Sequence, residues 1–176
     1  RVGDPLGRVT TTEYNNDLRV SRLVTPTGES RSFDWCACGS PTRITDELGN
    51  KMHFNYDNPF RRRTSFTDAR GNTTRYTYDT AGNLLSTTYP NNSIEWLGEH
   101  TAAGLPQSST NRRSQTISYT YTPAGTLSRQ SFTNGSFNDF AYDHRGNLTN
   151  VIEHTIFGTN KTTTYAYNYA TDGDRL

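Results

Sequence analysis

The fold of this chain is most clearly indicated by the segment Gly71-Asn72-Thr73-Thr74-Arg75-Tyr76-Thr77-Tyr78-Asp79-Thr80-Ala81-Gly82-Asn83-Leu84. Its first half alternates between two faces, with Thr74, Tyr76 and Tyr78 on the same one. Asp79 and Gly82 then mark a tight turn, because Asp accepts hydrogen bonds from the following backbone and Gly adopts a positive φ. The stretch predicts a strand, a turn and the start of a return strand. One such hairpin is only marginally stable in water, so a stable fold requires several copies of it.

The same pattern returns every 21 or 22 residues. We call the residue in the position of Tyr78 the anchor. Glycine lies four residues after most anchors and seven before most of them. A fixed period of this length indicates a repeat architecture. The anchors are Tyr14, Trp35, Tyr56, Tyr78, His100, Tyr121 and Tyr142, and a second aromatic residue precedes several of them by two, at Phe33, Phe54, Tyr76, Tyr119 and Phe140.

The turns of the array are predicted at Asp and Gly positions. Two of the turns that follow an anchor lack the glycine: the turn at 15–17 is expected to be the weakest of the set, and the turn at 57–60 is expected to have another geometry. A loose loop is expected at 108–114. In the last repeat we expect Tyr169 as the anchor, with five or six residues inserted around 153–164. Ile94, Trp96 and His100 are expected on one aromatic face. The predicted turn residues are Asp46, Gly49, Asp68, Gly71, Asp79, Gly82, Gly125, Asp143 and Gly146.

The composition narrows the class of protein. The 176 residues carry 18 Lys and Arg against 17 Asp and Glu, so no overall field attracts nucleic acid. Hydrophobic residues make up only 31% of the chain, but 11 Tyr, 8 Phe and 2 Trp supply aromatic surface for a sheet. No apolar run is long enough to span a bilayer. Helical periodicity is absent, so we predict an all-β fold of tandem antiparallel hairpins forming a twisted, spiralling open sheet.

The repeated motifs resemble those of a known family. The sequences at 78–84 and 142–148, Tyr-Asp-x-x-Gly-Asn-Leu, are similar to the Tyr-Asp core of the YD repeat in RHS-type proteins. The sequences at 46–50 and 68–72 resemble the linking turn of that family. The likeness extends from about residue 4 to 176. The family includes bacterial RHS toxins, the C component of insecticidal toxin complexes, and animal teneurins.

The resemblance implies a β-sheet ribbon that spirals into a hollow shell, which in bacterial members encloses a toxic C-terminal domain. It implies a secreted or cell-surface protein whose partners are further repeats and a C-terminal cargo of the same parent chain. We expect residues 1–176 to be a single array of seven to eight repeats, an arc of such a shell cut from a longer chain. The self-cleaving aspartates of the bacterial members have no counterpart here, so no protease residue is transferred.

Other residues were weighed as chemical sites. The turn aspartates are interpreted as backbone caps rather than catalytic or calcium-binding groups. Cys36-Ala37-Cys38 lacks the further ligands of a zinc site and is interpreted as a surface thiol pair or a local disulfide. Arg61-Arg62-Arg63 and Arg112-Arg113 are interpreted as solvated charges rather than a polyanion site. No catalytic, cofactor-binding or metal-binding residue is predicted.

The sequence leaves two non-enzymatic functions open. The leading hypothesis is a structural repeat module, for which Tyr78, Tyr121 and Tyr142 are the residues to test. The alternative is a carbohydrate-binding or adhesion module, in which exposed rings stack on sugars, with Trp96, Tyr119 and Tyr121 as the candidates. An enzyme is the least favoured class, because no phosphate loop, nucleophile elbow or His-Glu-x-x-His motif is present.

Overall fold

The computed structural model describes residues 1–167, and this part of the chain consists of β-strands joined by turns, bends and irregular residues. The predicted all-β fold of consecutive antiparallel hairpins is confirmed. Within the described range no helix is long and apolar enough to cross a bilayer. The strands are β1 (Val2–Gly3), β2 (Val9–Tyr14), β3 (Val20–Val24), β4 (Ser30–Trp35), β5 (Pro41–Thr45), β6 (Lys51–Asn55), β7 (Ser65–Thr67), β8 (Thr73–Tyr78), β9 (Leu84–Thr88), β10 (Ile94–Trp96), β11 (Ser108–Thr110), β12 (Thr116–Tyr121), β13 (Leu127–Phe132), β14 (Phe137–Tyr142), β15 (Leu148–His154) and β16 (Asn160–Thr164).

The order of the strands in the sheet follows their order in the chain, from β1 to β16. The backbone contacts divide the chain into two compact units. The first comprises residues 1–82 and 87–93, and the second comprises residues 83–86 and, within the described range, 94–167. Each unit is a meander of antiparallel hairpins.

Two kinds of turn alternate along the chain. An anchor turn follows an anchor, and a linking turn lies between two anchors. In the anchor turn after Tyr121, Gly125 N donates to Thr122 O at 2.9 Å and Thr122 N donates to Thr126 O at 2.8 Å. The strand register shifts by one residue between Thr120 and Tyr121. A four-residue turn whose glycine has a positive φ, next to such a bulge, joins twisted strands without splaying them.

Three turns place a residue other than glycine in the left-handed region. Leu18, Asn92 and Ser114 have φ values of 59°, 62° and 60°. Leu18 and Ser114 each cost roughly 1 kcal/mol relative to glycine, whereas Asn tolerates this conformation better. The connection after Tyr56 is different, as expected from its missing glycine. Here Arg61 has the positive φ, and Thr64 N donates to Asn55 O at 2.7 Å to close a longer loop.

In the first unit the sheet has one apolar and one polar face. On the ring face, Phe33 is opposite Ile44, which is opposite Met52. Phe54 and Phe66 are also opposite each other, with ring centroids 5.2 Å apart. The polar face has cross-strand pairs of hydrogen-bonding or charged side chains, namely Asp34 with Arg43, Asn55 with Ser65, and Thr67 with Thr73. Such pairs are the units that stabilise a sheet.

The second unit repeats this division. Ile117 is opposite Phe132 on its ring face. On its polar face Thr110 and Thr116 share a hydrogen bond of 2.8 Å. The polar face also carries Phe137, whose ring stacks on His154 at 4.1 Å between centroids.

No hydrophobic side chain among residues 1–167 is buried, and Ser86 is the most enclosed polar residue at 3% exposure. Most rings on the ring face are half-buried, because their neighbours in the same sheet cover only part of them. The described chain therefore gains its apolar burial from lateral packing along the strands and has no enclosed core.

The loose loop expected at 108–114 is wrong. Residues 108–110 form β11, and Ser114 N donates to Asn111 O at 3.0 Å in a tight linking turn. Ser and Thr side chains were interpreted as loop formers, but paired across the sheet they act as strand residues on the polar face.

The insertion expected around 153–164 is also wrong. This segment contains the end of β15, a linking turn at Gly158 and the paired strand β16. Tyr165 lies seven residues after Gly158, which is the spacing of an anchor. The expected anchor Tyr169 lies outside the described residues.

The expected aromatic face at β10 needs a correction. Trp96 is opposite Thr110, which belongs to the polar face, and Ile94 and Trp96 are 36% and 48% exposed. Glu95 instead lies half-buried between them. Because side chains alternate strictly, the register of this one pair places Trp96 on the face opposite to that predicted.

Candidate functional site: the repeat anchors

The anchors lie where each strand bends into its turn. The register shifts that precede Trp35, Tyr121 and Tyr142 place the anchor opposite the residue six positions later in the chain. A bulge at this point raises the local twist and redirects the side chain. The anchor side chain can therefore extend along the sheet toward the preceding repeat.

Three anchors hydrogen-bond to the backbone of the preceding repeat in the same way. Trp35 Nε1 donates to Val20 O at 2.7 Å, Tyr78 Oη donates to Arg63 O at 2.7 Å, and Tyr121 Oη donates to Pro106 O at 2.6 Å. In each case the acceptor lies 15 residues before the donor. We call this bond the latch. It joins successive repeats through a side chain, in addition to the strand pairing.

Partial burial shifts the pKa of the two tyrosines that form latches. Partial burial raises the pKa of Tyr78, although the nearby Arg62 and Arg63 guanidiniums oppose this rise. Burial also raises the pKa of Tyr121, and the neighbouring Tyr119 adds to the effect. Both phenols therefore remain protonated hydrogen-bond donors over the neutral range.

Anchor turns also contact a side chain from the preceding repeat. A Cβ added at Gly82 would lie 2.9 Å from Phe60 Cγ, and one added at Gly125 would lie 3.6 Å from Leu105 Cδ1. At Gly39 the nearest atom is Arg19 Nη2, at 3.6 Å. Glycine at Gly82 thus serves both the positive φ of 84° and the close approach of a ring.

The predicted turn aspartates lie where backbone N–H groups converge. Asp46 Oδ1 accepts from Leu48 N and Asn50 N, and Asp68 Oδ1 accepts from Arg70 N and Asn72 N, at 2.8–3.0 Å. Hydrogen bonds from the Asn50 side chain and the Asn72 side chain are the main causes that lower the pKa of Asp46 and of Asp68. Asp143 accepts from two backbone N–H groups in the same geometry.

The other predicted anchors have different surroundings. Tyr14 is 60% exposed, whereas Tyr56 and Tyr142 are half-buried. His100 forms an isolated bridge with Pro106. Among the second aromatics, Tyr119 Oη lies 2.7 Å from Ser109 Oγ. Among the predicted anchors, the structure shows the latch at Trp35, Tyr78 and Tyr121.

Two arginines of the run 61–63 contact aromatic rings at and near the anchor Tyr78. Arg63 lies over the rings of Tyr76 and Phe66 at 5.0 Å and 5.8 Å, and Arg62 lies 6.0 Å from the Tyr78 ring centroid. Cation–π contacts of this kind are worth about 0.5–1 kcal/mol at exposed sites. These arginines cover the ring face of the following hairpin.

The three rings named for carbohydrate stacking do not form one platform. Trp96 is exposed on the polar face, whereas Tyr119 and Tyr121 lie on the ring face with their hydroxyl groups engaged. The carbohydrate hypothesis stays a prediction that neither the geometry nor the comparisons with known proteins favour.

No cluster of three or more His, Cys, Asp or Glu side chains that could hold a metal ion is found within residues 1–167. Cys36 and Cys38 form a disulfide, which is one of the two states left open by the sequence.

The latch was not predicted from the sequence. The spacing of the anchors was visible, but the acceptor is a backbone carbonyl, which has no residue-type signal. The only available signal was that the anchor is usually Tyr or Trp, which combine an apolar ring with a hydrogen-bond donor.

A family model for the RHS repeat matches residues 61–94. A comparison with curated protein sequences finds no match. Among solved structures, the chain is similar to a crystal structure of TcdB2-TccC3, with a TM-score of 0.59 at 14% identity over 96% of this chain and 12% of the other.

It is similar also to a TcdB2-TccC3-Cdc42 crystal structure, with a TM-score of 0.59, 14% identity and coverage of 96% and 11%. The Photorhabdus luminescens Tc holotoxin pore with the TccC3 D651A mutation gives a TM-score of 0.60 at the same identity and coverage. The chain spans about a tenth of the length of these structures. The matched residues 61–94 and the periodic anchors support an RHS/YD repeat fragment, and the matched structures share its fold.

Proposed function

We propose that this structural repeat module forms part of the wall of a shell that encloses a C-terminal cargo of its parent chain. The observation that carries the proposal is the latch. It connects each latched repeat to the one before it in a sheet that has no buried hydrophobic side chain among residues 1–167. Such a sheet has no interior of its own, so its rigidity must come from bonds along the array.

The two faces support a wall rather than a globular domain. The ring face offers half-buried aromatic and aliphatic side chains, and the polar face offers paired charges and hydroxyls. A sheet with one apolar and one polar face can separate an interior from the solvent. The partners proposed on this basis are further repeats and the cargo of the same chain.

The array itself is also part of the proposal. We propose that residues 1–176 form one run of about eight repeats with no separate catalytic or toxin domain. A secreted or cell-surface location follows from the resemblance to the toxin-complex family. The likeness of the fold to TcdB2-TccC3 over 96% of the chain supports this reading.

Electron microscopy of the parent protein would test the proposal. We expect residues 1–167 in the wall of a closed shell, with one face toward an internal volume that holds further chain. A matched sample with Tyr78→Phe and Tyr121→Phe is expected to give a less stable shell, detected as faster proteolysis of the enclosed segment. A parent in which these repeats project as a separate open sheet, with both faces in solvent, would contradict the proposal.

A further inference from the structure

The Cys36–Cys38 disulfide replaces a hydrogen-bonded cap in one of the anchor turns. In the turn after Tyr142, Asp143 Oδ1 accepts from Arg145 N, two residues on, and from Asn147 N, four residues on. In the turn after Trp35, the disulfide joins residue 36 to residue 38, again two residues on, and Cys36 Sγ accepts from Ser40 N at 3.4 Å. The covalent bond thus connects the two positions that a side-chain cap connects elsewhere.

The disulfide is not needed to close this turn. Gly39 N donates to Cys36 O at 3.1 Å and Cys36 N donates to Ser40 O at 3.0 Å, as in the other anchor turns. A bridge with a sequence separation of 2 also restricts the unfolded chain very little, because the entropic effect of a disulfide grows with loop length. Global stability therefore does not account for the pair.

The surroundings of the sulfur atoms favour exchange. Both cysteines are half-buried, and the intervening Ala37 is exposed. Arg19 Nη1 donates to Cys36 O at 2.8 Å, which holds a guanidinium against the turn. Asp17 lies 3.9 Å from the same nitrogen and offsets part of this charge. A neighbouring cation stabilises a thiolate, and a stabilised thiolate is a better leaving group.

We propose that Cys36–Cys38 is a thiol–disulfide exchange site for low-molecular-weight thiols. A thiolate attacks Cys38 Sγ, forms a mixed disulfide with Cys38 and releases Cys36 as a thiolate. Cys36 is the leaving group because its sulfur already accepts from Ser40 N and lies beside the turn that Arg19 contacts. A second thiolate attacks the sulfur of the bound thiol and releases Cys38 as a thiolate. In total the protein disulfide gains two electrons, and two small thiols are oxidised to one disulfide.

The test uses the purified 176-residue chain with reduced glutathione as the probe. Samples are quenched with an alkylating reagent, and mass spectrometry locates the glutathione adduct and the free thiol. We expect the adduct on Cys38, and complete reduction by excess dithiothreitol with the β-sheet circular dichroism unchanged. An adduct mainly on Cys36, no reduction of the folded chain, or unfolding upon reduction would overturn the proposal.

Arginine variants test the role of the charge. Arg19→Gln is expected to slow the attack by roughly three- to tenfold at neutral pH, and Arg19→Lys is expected to restore most of the rate. Arg31→Gln is the matched control, since Arg31 pairs with Glu47 on the neighbouring hairpin. Equal rates for Arg19→Gln and the parent chain would contradict the assignment of Arg19.

A double variant separates exchange from folding. Cys36→Asp with Cys38→Ala recreates the Asp-x-x-Gly turn of the other repeats. We expect it to fold with the same circular dichroism spectrum and to form no adduct. If this variant fails to fold, the disulfide is a structural requirement of the turn and the exchange proposal is wrong.

Discussion

The surroundings of Tyr78 and Tyr121 differ although both residues make the same latch. Each hydroxyl donates to the carbonyl 15 residues earlier, at 2.7 Å and 2.6 Å. Near Tyr78, Arg62 lies 6.0 Å from the ring centroid and Phe60 lies against Gly82, and both residues belong to the irregular loop after Tyr56. Around Tyr121, Leu105 from an ordinary anchor turn lies against Gly125. The latch therefore recurs while the residues that cover it vary.

The two sites differ in the residues around the latch, whereas the latch hydrogen bond itself is fixed by the backbone geometry. A hydrogen bond to a backbone carbonyl needs only the bulge and a donor at the right distance, so it tolerates changes in its neighbours. The side chain that packs against the turn glycine, in contrast, depends on which residue the previous turn supplies. We expect perturbations of the cover to differ between the two sites and perturbations of the latch to agree.

Substitution of the turn glycines should give the largest difference in the free energy of unfolding between the two sites. Gly82→Ala places a methyl group against Phe60 in addition to the strain of a φ of 84°, so we expect a loss of about 2–4 kcal/mol in the free energy of unfolding. Gly125→Ala has a similar φ of 82° but only an ordinary contact, and should lose about 1–2 kcal/mol. Urea denaturation measures both, and equal losses would show that Phe60 does not lie against Gly82.

Removal of the whole anchor side chain should affect both sites alike. Tyr78→Ala and Tyr121→Ala each lose ring packing and a hydrogen bond, so we expect each to lower the free energy of unfolding by about 2–3 kcal/mol. Tyr14→Ala is the control, because that ring is 60% exposed, and should cost less than about 1 kcal/mol. A cost at Tyr14 as large as at Tyr78 would indicate that the latch contributes little.

Removal of the hydroxyl alone isolates the latch. Tyr78→Phe and Tyr121→Phe keep the ring, and each should lower the free energy of unfolding by about 1 kcal/mol. Thermal denaturation followed by circular dichroism gives the comparison. Unchanged stability in both variants would mean that water replaces the latch without loss.

Alkaline pH should produce the smallest and most specific effect. Burial raises the pKa of Tyr78 and Tyr121 in the folded chain, so the neutral phenol is favoured by folding. The corresponding stability is complete below about pH 10 and is lost as the pH rises through the folded pKa. Tyr78→Phe and Tyr121→Phe should each weaken this loss, because each removes one of the two phenols whose pKa is raised. Denaturation midpoints at pH 9 to 11 measure it, and an identical pH dependence in all three chains would contradict it.

Much of this fold could be predicted from its period. The equivalent positions of Tyr78 and Tyr121 in their own repeats and the positive φ of the turn glycines follow from residue types whose local preferences agree with the fold. The segment at 108–110 could not be recognised, because Ser and Thr are ambiguous until their cross-strand partners are known. The face of Trp96 depended on a single pairing, which local alternation does not determine.

The candidate site was less accessible to prediction than the fold. The anchors could be listed, but the latch joins a side chain to a carbonyl in another repeat, and carbonyls are the same at every residue. The cover of Gly82 by Phe60 likewise depends on the path of the loop after Tyr56. Contacts of this kind are set by tertiary geometry and leave no periodic pattern.

Native-state hydrogen exchange at the amides of Tyr76 and Tyr119 is the most direct test of whether the latches stabilise their repeats. These amides donate to Thr64 O and Gln107 O, at 2.9 Å in both cases, in the same repeats as the two latches. We expect both amides to be strongly protected and Tyr78→Phe and Tyr121→Phe to reduce the protection of their own repeat about fivefold, the equivalent of 1 kcal/mol. Exchange of both amides at the rate of an unfolded chain would contradict it.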